Sequence, residues 1–426
     1  MDRTQQPMVH DMEPFPVTQP SRRIMSNGVP LSVIAQGDQE VIRLDVIINA
    51  GRWQQSKPLQ AIFTNRMLRE GSASLSGREV AERLDFYGAR LELYTGVTHS
   101  QLTLYCLYKY FDQTAAVVES ILKEPAFPQE RVDTVLQANR QQYLINQKKV
   151  SFLGRKALRL AAFGADHPMG MTEEEWDYDR ITPEILRDFY TQYYHSGNCS
   201  VYLSGYVEPD VEKRVEQLFG SEAWGKVRPY EEPKDYPLVP TKERRTFCEK
   251  ADALQSSVLL AWHTVRWKDP DFLKLRVLMT VFGGYFGSRL MSNIREDKGY
   301  TYGISARIFD FPDTGLGLVA CETATANVEP LIAEVYREMN RLRTELIGEE
   351  ELNMVRNYLL GEMARSYEGA FSLADAWINI EWAELPSDYP EQSMLAVKSV
   401  TAEELRQLAQ KYLTEDGVFE IVAGRC

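Results

Sequence analysis

Hydrophobic and polar residues follow similar patterns, in similar order, in two parts of the chain. In the first part, the pattern predicts a strand, a helix, two strands around a turn and two helices, over residues 41–50, 59–70, 89–107, 111–123 and 129–147. In the second part, it predicts a strand, two helices, a hairpin and two helices, over residues 257–262, 270–282, 288–295, 303–321, 329–343 and 349–368. Hairpin-paired strands with helices between them predict an α+β fold, with helices packed on one face of a mainly antiparallel sheet.

A gapless internal repeat supports two related halves. Residues 181–205 read ITPEILRDFYTQYYHSGNCSVYLSG, and residues 400–424 read VTAEELRQLAQKYLTEDGVFEIVAG. At a constant offset of 219 positions the identical pairs are Thr182 and Thr401, Glu184 and Glu403, Leu186 and Leu405, Arg187 and Arg406, Tyr193 and Tyr412, and Gly205 and Gly424. Both copies predict a helix with a threonine N-cap, a short turn and a strand.

The repeat and the local composition predict the domain boundaries. We expect an N-terminal domain over 20–225, a linker over 226–245 and a C-terminal domain over 246–426. The linker reads KVRPYEEPKDYPLVPTKERR, with four prolines, many charges and no helical period. That composition is typical of a semi-extended connector between domains.

Composition and charge indicate a soluble globular protein and argue against some classes of partner. With 426 residues, 44% of them hydrophobic and 26% charged, the chain is typical of a soluble globular protein of more than one domain. The net charge of −13 argues against nucleic acid and against an anionic membrane as partners. We expect no secretory signal, no membrane span and no C-x-x-C among the five cysteines. These features predict a cytoplasmic protein with reduced thiols, of which Cys426 is the one expected to be exposed.

Three stretches resemble the pitrilysin/insulinase family of zinc peptidases, specifically its short, two-domain, processing-peptidase-like branch. They read NAGRWQQSKPLQAIFTNRMLREGS, AAFGADHPMGMTEEEWDYDRITPEILRDFYTQYYHSGNCSVYLSGYV and FGGYFGSRLMSNIREDKGYTYGISARI. The third is the most specific, with a glycine-rich turn followed by Ser-Arg-Leu, Ile-Arg-Glu, Lys-Gly and Tyr. The resemblance covers residues 25–426 and implies two homologous domains that face each other across a cavity.

The zinc motif of that family is missing. Members that cleave peptides carry H-x-x-E-H on a helix, where two histidines hold the metal and the glutamate activates water. A further Glu about 70 to 80 residues downstream completes the ligand set. The matching helix, AIFTNRMLREGS, has Ile62 and Arg66 at the histidine positions and Asn65 at the glutamate position. Ile62 has no lone pair, Arg66 stays protonated and Asn65 is no base.

Two further observations agree with this loss. Residues 134–165, where the distal ligand is expected, contain no Asp or Glu. The histidines are too far apart for one helix to present two of them, at positions His10, His99, His167, His195 and His263. The sequence therefore predicts no metal site and no cofactor in this chain. Instead, residues 59–70 are predicted to form an amphipathic helix whose inward face consists of Leu59, Ile62, Phe63 and Met67.

The second domain keeps the family's substrate motif. The resemblance implies that an Arg and a Tyr, spaced R-x₆-Y, hold the substrate backbone and polarise the scissile carbonyl opposite the zinc. The matching residues are Arg295 and Tyr302. Arginine offers several fixed donors, and a tyrosine hydroxyl can donate to an oxyanion. The alternative from residue type alone is that Arg295 pairs with a nearby carboxylate and that Tyr302 is a half-buried sheet residue.

Loss of zinc together with retention of Arg295 and Tyr302 implies one half of a split peptidase. We expect a non-catalytic subunit of a heteromeric zinc peptidase, whose partners are a homologous zinc-bearing subunit and an unfolded peptide. Alone, the chain is predicted not to be an enzyme, and a homodimer of the isolated chain stays open. The alternatives are a purely structural core-type subunit and a peptide-binding module with no role in cleavage.

Overall fold

The computed structural model of the protein describes residues 12–229 and 234–425. Three features of the sequence predictions lie outside the described residues, namely His10, Cys426 and residues 230–233 of the predicted linker. Among the described residues, no helix combines the length and the apolar character needed to cross a lipid bilayer.

Contacts within the chain divide the described residues into two units. The first unit consists of residues 19–229, 234–253, 369–378 and 419–425. The second unit consists of residues 12–18, 254–368 and 379–418. Each unit therefore combines several stretches of the chain, and the domain boundaries expected from the sequence stay a prediction.

The described residues contain eleven strands and thirteen α-helices. The strands are β1 Ser21–Ile24, β2 Pro30–Ala35, β3 Val41–Ile48, β4 Arg90–Thr95, β5 Ser100–Leu107, β6 Cys199–Gly205, β7 Arg245–Glu249, β8 Ser256–Thr264, β9 Ile304–Asp310, β10 Gly315–Thr323 and β11 Phe419–Gly424. The helices are α1 Gln60–Met67, α2 Gly77–Phe86, α3 Phe111–Lys123, α4 Gln129–Asn146, α5 Val150–Phe163, α6 Pro183–Tyr193, α7 Pro209–Val215, α8 Phe272–Met279, α9 Val328–Thr344, α10 Glu349–Ser366, α11 Ala370–Trp382, α12 Tyr389–Ser399 and α13 Ala402–Tyr412.

Shorter helical segments of two kinds complete the secondary structure. The 3₁₀ helices are Leu68–Glu70, Tyr108–Tyr110, Glu175–Arg180, Ser196–Asn198 and Thr325–Asn327. The π-helical segments are Glu216–Gly220, Thr280–Gly284 and Met291–Asp297. Thr280–Gly284 overlaps the end of the helix predicted over 270–282, and Met291–Asp297 overlaps the end of the helix predicted over 288–295. The predicted helix type is wrong in these two segments. A Cβ at Gly283 would lie 2.7 Å from the Cβ of Ala306 in β9. The close packing of this segment against β9 therefore leaves no room for a larger side chain at position 283.

The first unit is built on a six-stranded sheet in the order β1-β2-β6-β3-β5-β4. Strands β2 and β6 are parallel, and every other neighbouring pair is antiparallel. In the middle of the sheet, Leu44 of β3 lies opposite Leu104 of β5 and Leu203 of β6, and all three side chains are buried. The sheet is therefore mixed but mainly antiparallel, and helix α1 contacts its edge strand β4.

The second unit contains an antiparallel arrangement of β8, β10 and β9. Val319 of β10 lies opposite Leu260 of β8 and Ala306 of β9, and all three are buried. Strands β7 and β11 pair in parallel and belong to the first unit. The predicted α+β class is confirmed, whereas the cavity expected between the two domains stays a prediction.

The two copies of the repeat adopt matching local structures. Thr182 caps α6 by accepting a hydrogen bond from the backbone N–H of Ile185, and Thr401 caps α13 by accepting one from Glu404. In the second copy the Glu404 carboxylate also accepts from the backbone N–H of Thr401, which completes a capping box. A strand follows each helix, β6 in one copy and β11 in the other.

Candidate functional site

Helix α1 carries the residues at the two histidine positions and the glutamate position of the zinc motif. Its apolar face is buried at Phe63 and Met67, which are 2% and 0% exposed, while Leu59 and Ile62 are half-buried against the same core. The helix begins after Leu59, which has a left-handed φ of 72°. The Leu59 side chain makes no capping hydrogen bond, and the Oε1 of Gln55 accepts one of 3.4 Å from the backbone N–H of Ala61 in the first turn.

Asn65, at the position of the catalytic glutamate, is a buried hydrogen-bond donor. Its side chain is 1% exposed. Its Nδ2 donates to the backbone carbonyl of Tyr94 at 2.7 Å and lies 3.4 Å from that of Gln101. The Oδ1 atom has no hydrogen-bond partner among the described residues. The amide therefore joins α1 to β4 and β5, and a carboxylate could not make these contacts because it has no N–H to donate.

Arg66, at the second histidine position, is held by a contact with another helix. Its Nη1 donates to the Oδ1 of Asn139 in α4, and its guanidinium carbon lies 5.5 Å from the centroid of the Phe63 ring. Burial lowers the pKa of Arg66, with a smaller contribution from Arg69, although Tyr178 acts in the opposite direction. A cationic side chain fixed in this way would repel a metal ion.

Asn139 is the residue that sequence reasoning missed. It lies 73 positions after Arg66, within the interval of about 70 to 80 residues where the resemblance places the distal glutamate ligand. Its Nδ2 donates to the backbone carbonyl of Val135 at 2.7 Å. The sequence signal for this contact was the separation of 73 positions between Arg66 and Asn139. A neutral amide at the position of the distal ligand can accept a hydrogen bond from an arginine at the histidine position.

The residues present do not fit a zinc ion. Ile62, Asn65 and Arg66 supply no ligand set, and Asn139 is engaged with Arg66. Within residues 12–229 and 234–425, no group of three or more His, Cys, Asp or Glu side chains is arranged to hold a metal ion.

Arg295 and Tyr302 lie in the second unit on a π-helical segment and on the loop before β9. The Arg295 guanidinium carbon lies 4.6 Å from the centroid of the exposed Phe286 ring, and its Nη1 lies 3.8 Å from the Glu296 carboxylate. About a third of the Arg295 side chain, 33%, is exposed. A surface pair at that distance contributes little, so the aromatic ring is the better-defined neighbour.

Tyr302 presents its side chain to solvent from an anchored loop. It is 93% exposed, so the alternative in which it is a half-buried sheet residue is wrong. The hydroxyl of Thr301 donates to the Glu322 carbonyl at 2.6 Å, and that of Thr323 donates to the Tyr300 carbonyl at 2.5 Å. These two bonds tie Tyr300 and Thr301, the two residues before Tyr302, to β10.

Comparison with known proteins finds similarity to the M16 peptidases and their inactive homologues. Residues 180–359 match the family model described as "Peptidase M16 inactive domain". An "Uncharacterized zinc protease" of Rickettsia felis is 22% identical over 398 residues, which cover 91% of this chain and 93% of that protein. A "Non-peptidase homolog YmxG" of Helicobacter pylori is 23% identical over 367 residues, which cover 84% of this chain and 83% of that protein.

A solved structure shows the same fold over nearly the whole chain. The peptidase M16 inactive domain from Pseudomonas fluorescens superposes with a TM-score of 0.84 at 20% identity, covering 96% of this chain and 98% of that one. The predicted resemblance is confirmed: the chain is similar to M16 peptidases and their inactive homologues, and its sequence lacks the zinc motif. The family description and the name of the Helicobacter pylori relative both fit a non-catalytic homologue.

Proposed function

We propose that this chain is the non-catalytic subunit of a heteromeric zinc peptidase. In this proposal Arg295 and Tyr302 bind the backbone of an unfolded peptide, and a homologous subunit supplies the zinc. The observation that carries it is the exposed Tyr302 side chain on a loop that Thr301 and Thr323 fix to β10. An aromatic side chain that is fully exposed on an anchored backbone is arranged for binding rather than for packing.

The chemistry of the two residues suits a peptide carbonyl. Arg295 presents a planar set of donors, and the Phe286 ring beside it limits the orientations of the guanidinium. The Tyr302 hydroxyl can donate to the oxygen on which negative charge develops as water attacks the carbonyl. The water itself must be activated by a metal of another chain, because Arg66 and Asn65 of this chain cannot do so.

The test is a reconstitution of the chain with a zinc-bearing homologue from the same genome. We expect the isolated chain to cleave no peptide and the mixture to cleave unfolded peptides in a chelator-sensitive manner. Arg295→Ala and Tyr302→Phe in the mixture should each lower kcat/KM about tenfold or more, as expected for the loss of one donor to the transition state. Arg365→Ala is the matched control, since Arg365 is an exposed arginine of the same unit that pairs with Glu362.

Two outcomes would contradict the proposal. Chelator-sensitive cleavage by the isolated chain would show that it needs no partner for its chemistry. Full activity of the Arg295→Ala mixture would favour the second candidate, a structural or peptide-binding subunit with no part in cleavage. The name of the Helicobacter pylori relative, a non-peptidase homologue, favours that candidate.

A further inference from the structure

Two buried glutamates of α9 contact the π-helical segment Met291–Asp297, which carries Arg295. Glu334 and Glu338 are one turn apart on α9, so both side chains lie on one face of that helix. They are only 6% and 1% exposed. Carboxylates are almost never buried to this extent unless they are paired, so the partners of these two indicate what they hold in place.

Asn293 joins the segment to the two glutamates. It lies two positions before Arg295 in the same segment. Its Nδ2 donates to the Glu334 carboxylate at 3.1 Å and to the Glu338 carboxylate at 2.8 Å. A carboxamide nitrogen carries two hydrogens, so one asparagine can donate to two carboxylates at once. Hydrogen bonds to an ionised acceptor are about twice as strong as neutral ones, and burial keeps water from competing for them.

The loop that follows the segment is tied to the same anchor. The Nζ of Lys298 lies 3.6 Å from the Glu334 carboxylate. The backbone N–H of Lys298 donates to the Asn293 carbonyl at 3.1 Å, and that of Tyr300 donates to the Ile294 carbonyl at 3.0 Å. The loop is thereby folded back onto the segment that Asn293 anchors.

The charge of the two glutamates is offset by cations at the edge of the cluster. The Nη1 of Arg337 lies 2.7 Å from the Glu334 carboxylate, and the Nη1 of Arg341 lies 3.1 Å from the Glu338 carboxylate. Both arginines are more exposed than the glutamates with which they pair. Together with Lys298 they allow two carboxylates to face one amide, because two buried charges of the same sign need partners of the opposite sign.

We propose that Asn293 is a positioning residue for Arg295 and Tyr302, and that Glu334 and Glu338 hold it. This inference rests on the proposed function and adds the device that sets the geometry of its site. The surface ion pair of Arg295 contributes little to its placement, so the placement depends on the segment that carries it. A guanidinium displaced by about 1 Å meets a peptide carbonyl poorly, and such a displacement can cost up to about a hundredfold in rate.

Three variants test the contact. Asn293→Asp removes the donor and places a third carboxylate beside the other two, so the segment should detach from α9. Combining it with Glu338→Gln exchanges donor and acceptor across the 2.8 Å contact and keeps the net charge that the cluster has in the unmodified chain. Asn340→Asp is the matched control, because Asn340 is exposed on the same helix and the substitution adds the same charge.

The first measurement is limited digestion of the isolated chain with trypsin, which cleaves after Lys and Arg where the backbone opens. Mass spectrometry follows the cut after Lys298. We expect Asn293→Asp to accelerate this cut about tenfold or more, because a lost hydrogen bond to a charged group raises the population of the open segment. The double variant and Asn340→Asp should be cut at nearly the rate of the unmodified chain. Equal acceleration at sites throughout the chain would show global destabilisation and would contradict a local role.

The second measurement uses the reconstituted complex and an unfolded peptide. Asn293→Asp should lower kcat/KM about tenfold, and the added Glu338→Gln should recover most of that loss. In an Arg295→Ala background, Asn293→Asp should cause little further loss, because two changes that act through the same group are not additive. A residue that only stabilises the unit would lower kcat/KM by the same factor whether or not Arg295 is present.

The outcomes separate this inference from the function on which it rests. If trypsin cuts Asn293→Asp no faster after Lys298, or if Glu338→Gln restores nothing, the inference is wrong whatever the complex does. If the cut is accelerated but the losses from Asn293→Asp and Arg295→Ala simply multiply, Asn293 does not act through Arg295 and the inference falls alone. If the digestion is as expected and Arg295→Ala leaves cleavage unchanged, the proposed function fails, and the positioning role fails with it.

Discussion

Restoring the catalytic glutamate alone should destabilise the first unit. In Asn65→Glu, the carboxylate replaces a donor whose Nδ2 lies 2.7 Å from the Tyr94 carbonyl in a position that is 1% exposed. The lost hydrogen bond leaves the part-buried Tyr94 carbonyl without its side-chain partner, at a cost of about 1 to 3 kcal/mol. The extra methylene and the buried carboxyl add about 1 to 3 kcal/mol more. We therefore expect the free energy of unfolding to fall by about 3 kcal/mol or more.

The dependence of this effect on pH provides a check on its cause. Burial beside two carbonyl oxygens should raise the pKa of the new Glu in the folded state above its unfolded value. A carboxyl group with a raised folded pKa favours folding when it is protonated, so the destabilisation should be smallest at low pH and should grow as the pH rises through the folded pKa.

Thermal and urea unfolding, followed by circular dichroism at pH 5 and pH 7.5, measure this effect. A loss of about 3 kcal/mol corresponds to a fall in Tm of about 6 °C or more for a unit of this size. Asn353→Glu is the control, because Asn353 is exposed on α10 and accepts a hydrogen bond from Arg356 that a carboxylate can also accept. An Asn65→Glu protein as stable as the unmodified chain at pH 7.5 would refute the reasoning that Asn65 is a structural donor.

Three further results are expected from other parts of the chain. Asp375→Ala should lower the free energy of unfolding by about 1 to 3 kcal/mol in urea titrations, because Arg43 is 3% exposed and its Nη2 lies 2.6 Å from Asp375. Asp45 and the Phe371 carbonyl remain as partners of Arg43 in that variant. Burial lowers the pKa of His99 from 6.5 to about 4. His99 should therefore favour folding above pH 6.5, and about 3 kcal/mol should be lost as the pH falls towards 4, a slope that His99→Gln should flatten. Zinc at micromolar concentration should leave the Tm unchanged, because Arg66 is fixed at the ligand position.

The elements that sequence reasoning placed well are those with strong local signals. The helix predicted over 111–123 is α3, Phe111–Lys123, and the one predicted over 349–368 is α10, Glu349–Ser366. Both have an acidic residue in the first turn and a regular apolar face, which indicate the start and the period of a helix. Thr182 and Thr401 act as N-caps because a cap depends on only three or four neighbouring residues.

Features that depend on distant contacts were not predicted. The π-helical segment at Thr280–Gly284 reads as ordinary helix, because its geometry depends on the packing of Gly283 against β9. The hydrogen bond between Arg66 and Asn139 joins two helices that are 73 positions apart and have no local pattern in common. The exposure of Tyr302 likewise depends on hydrogen bonds from β10 rather than on its own neighbours in sequence.

The most direct test of the central claim is a zinc titration of the purified chain by isothermal calorimetry, combined with a peptide-cleavage assay on the same sample. The account predicts no stoichiometric binding of zinc and no chelator-sensitive cleavage, because Ile62, Asn65 and Arg66 replace the ligands and the base. One tightly bound zinc per chain, together with cleavage that a chelator abolishes, would contradict it.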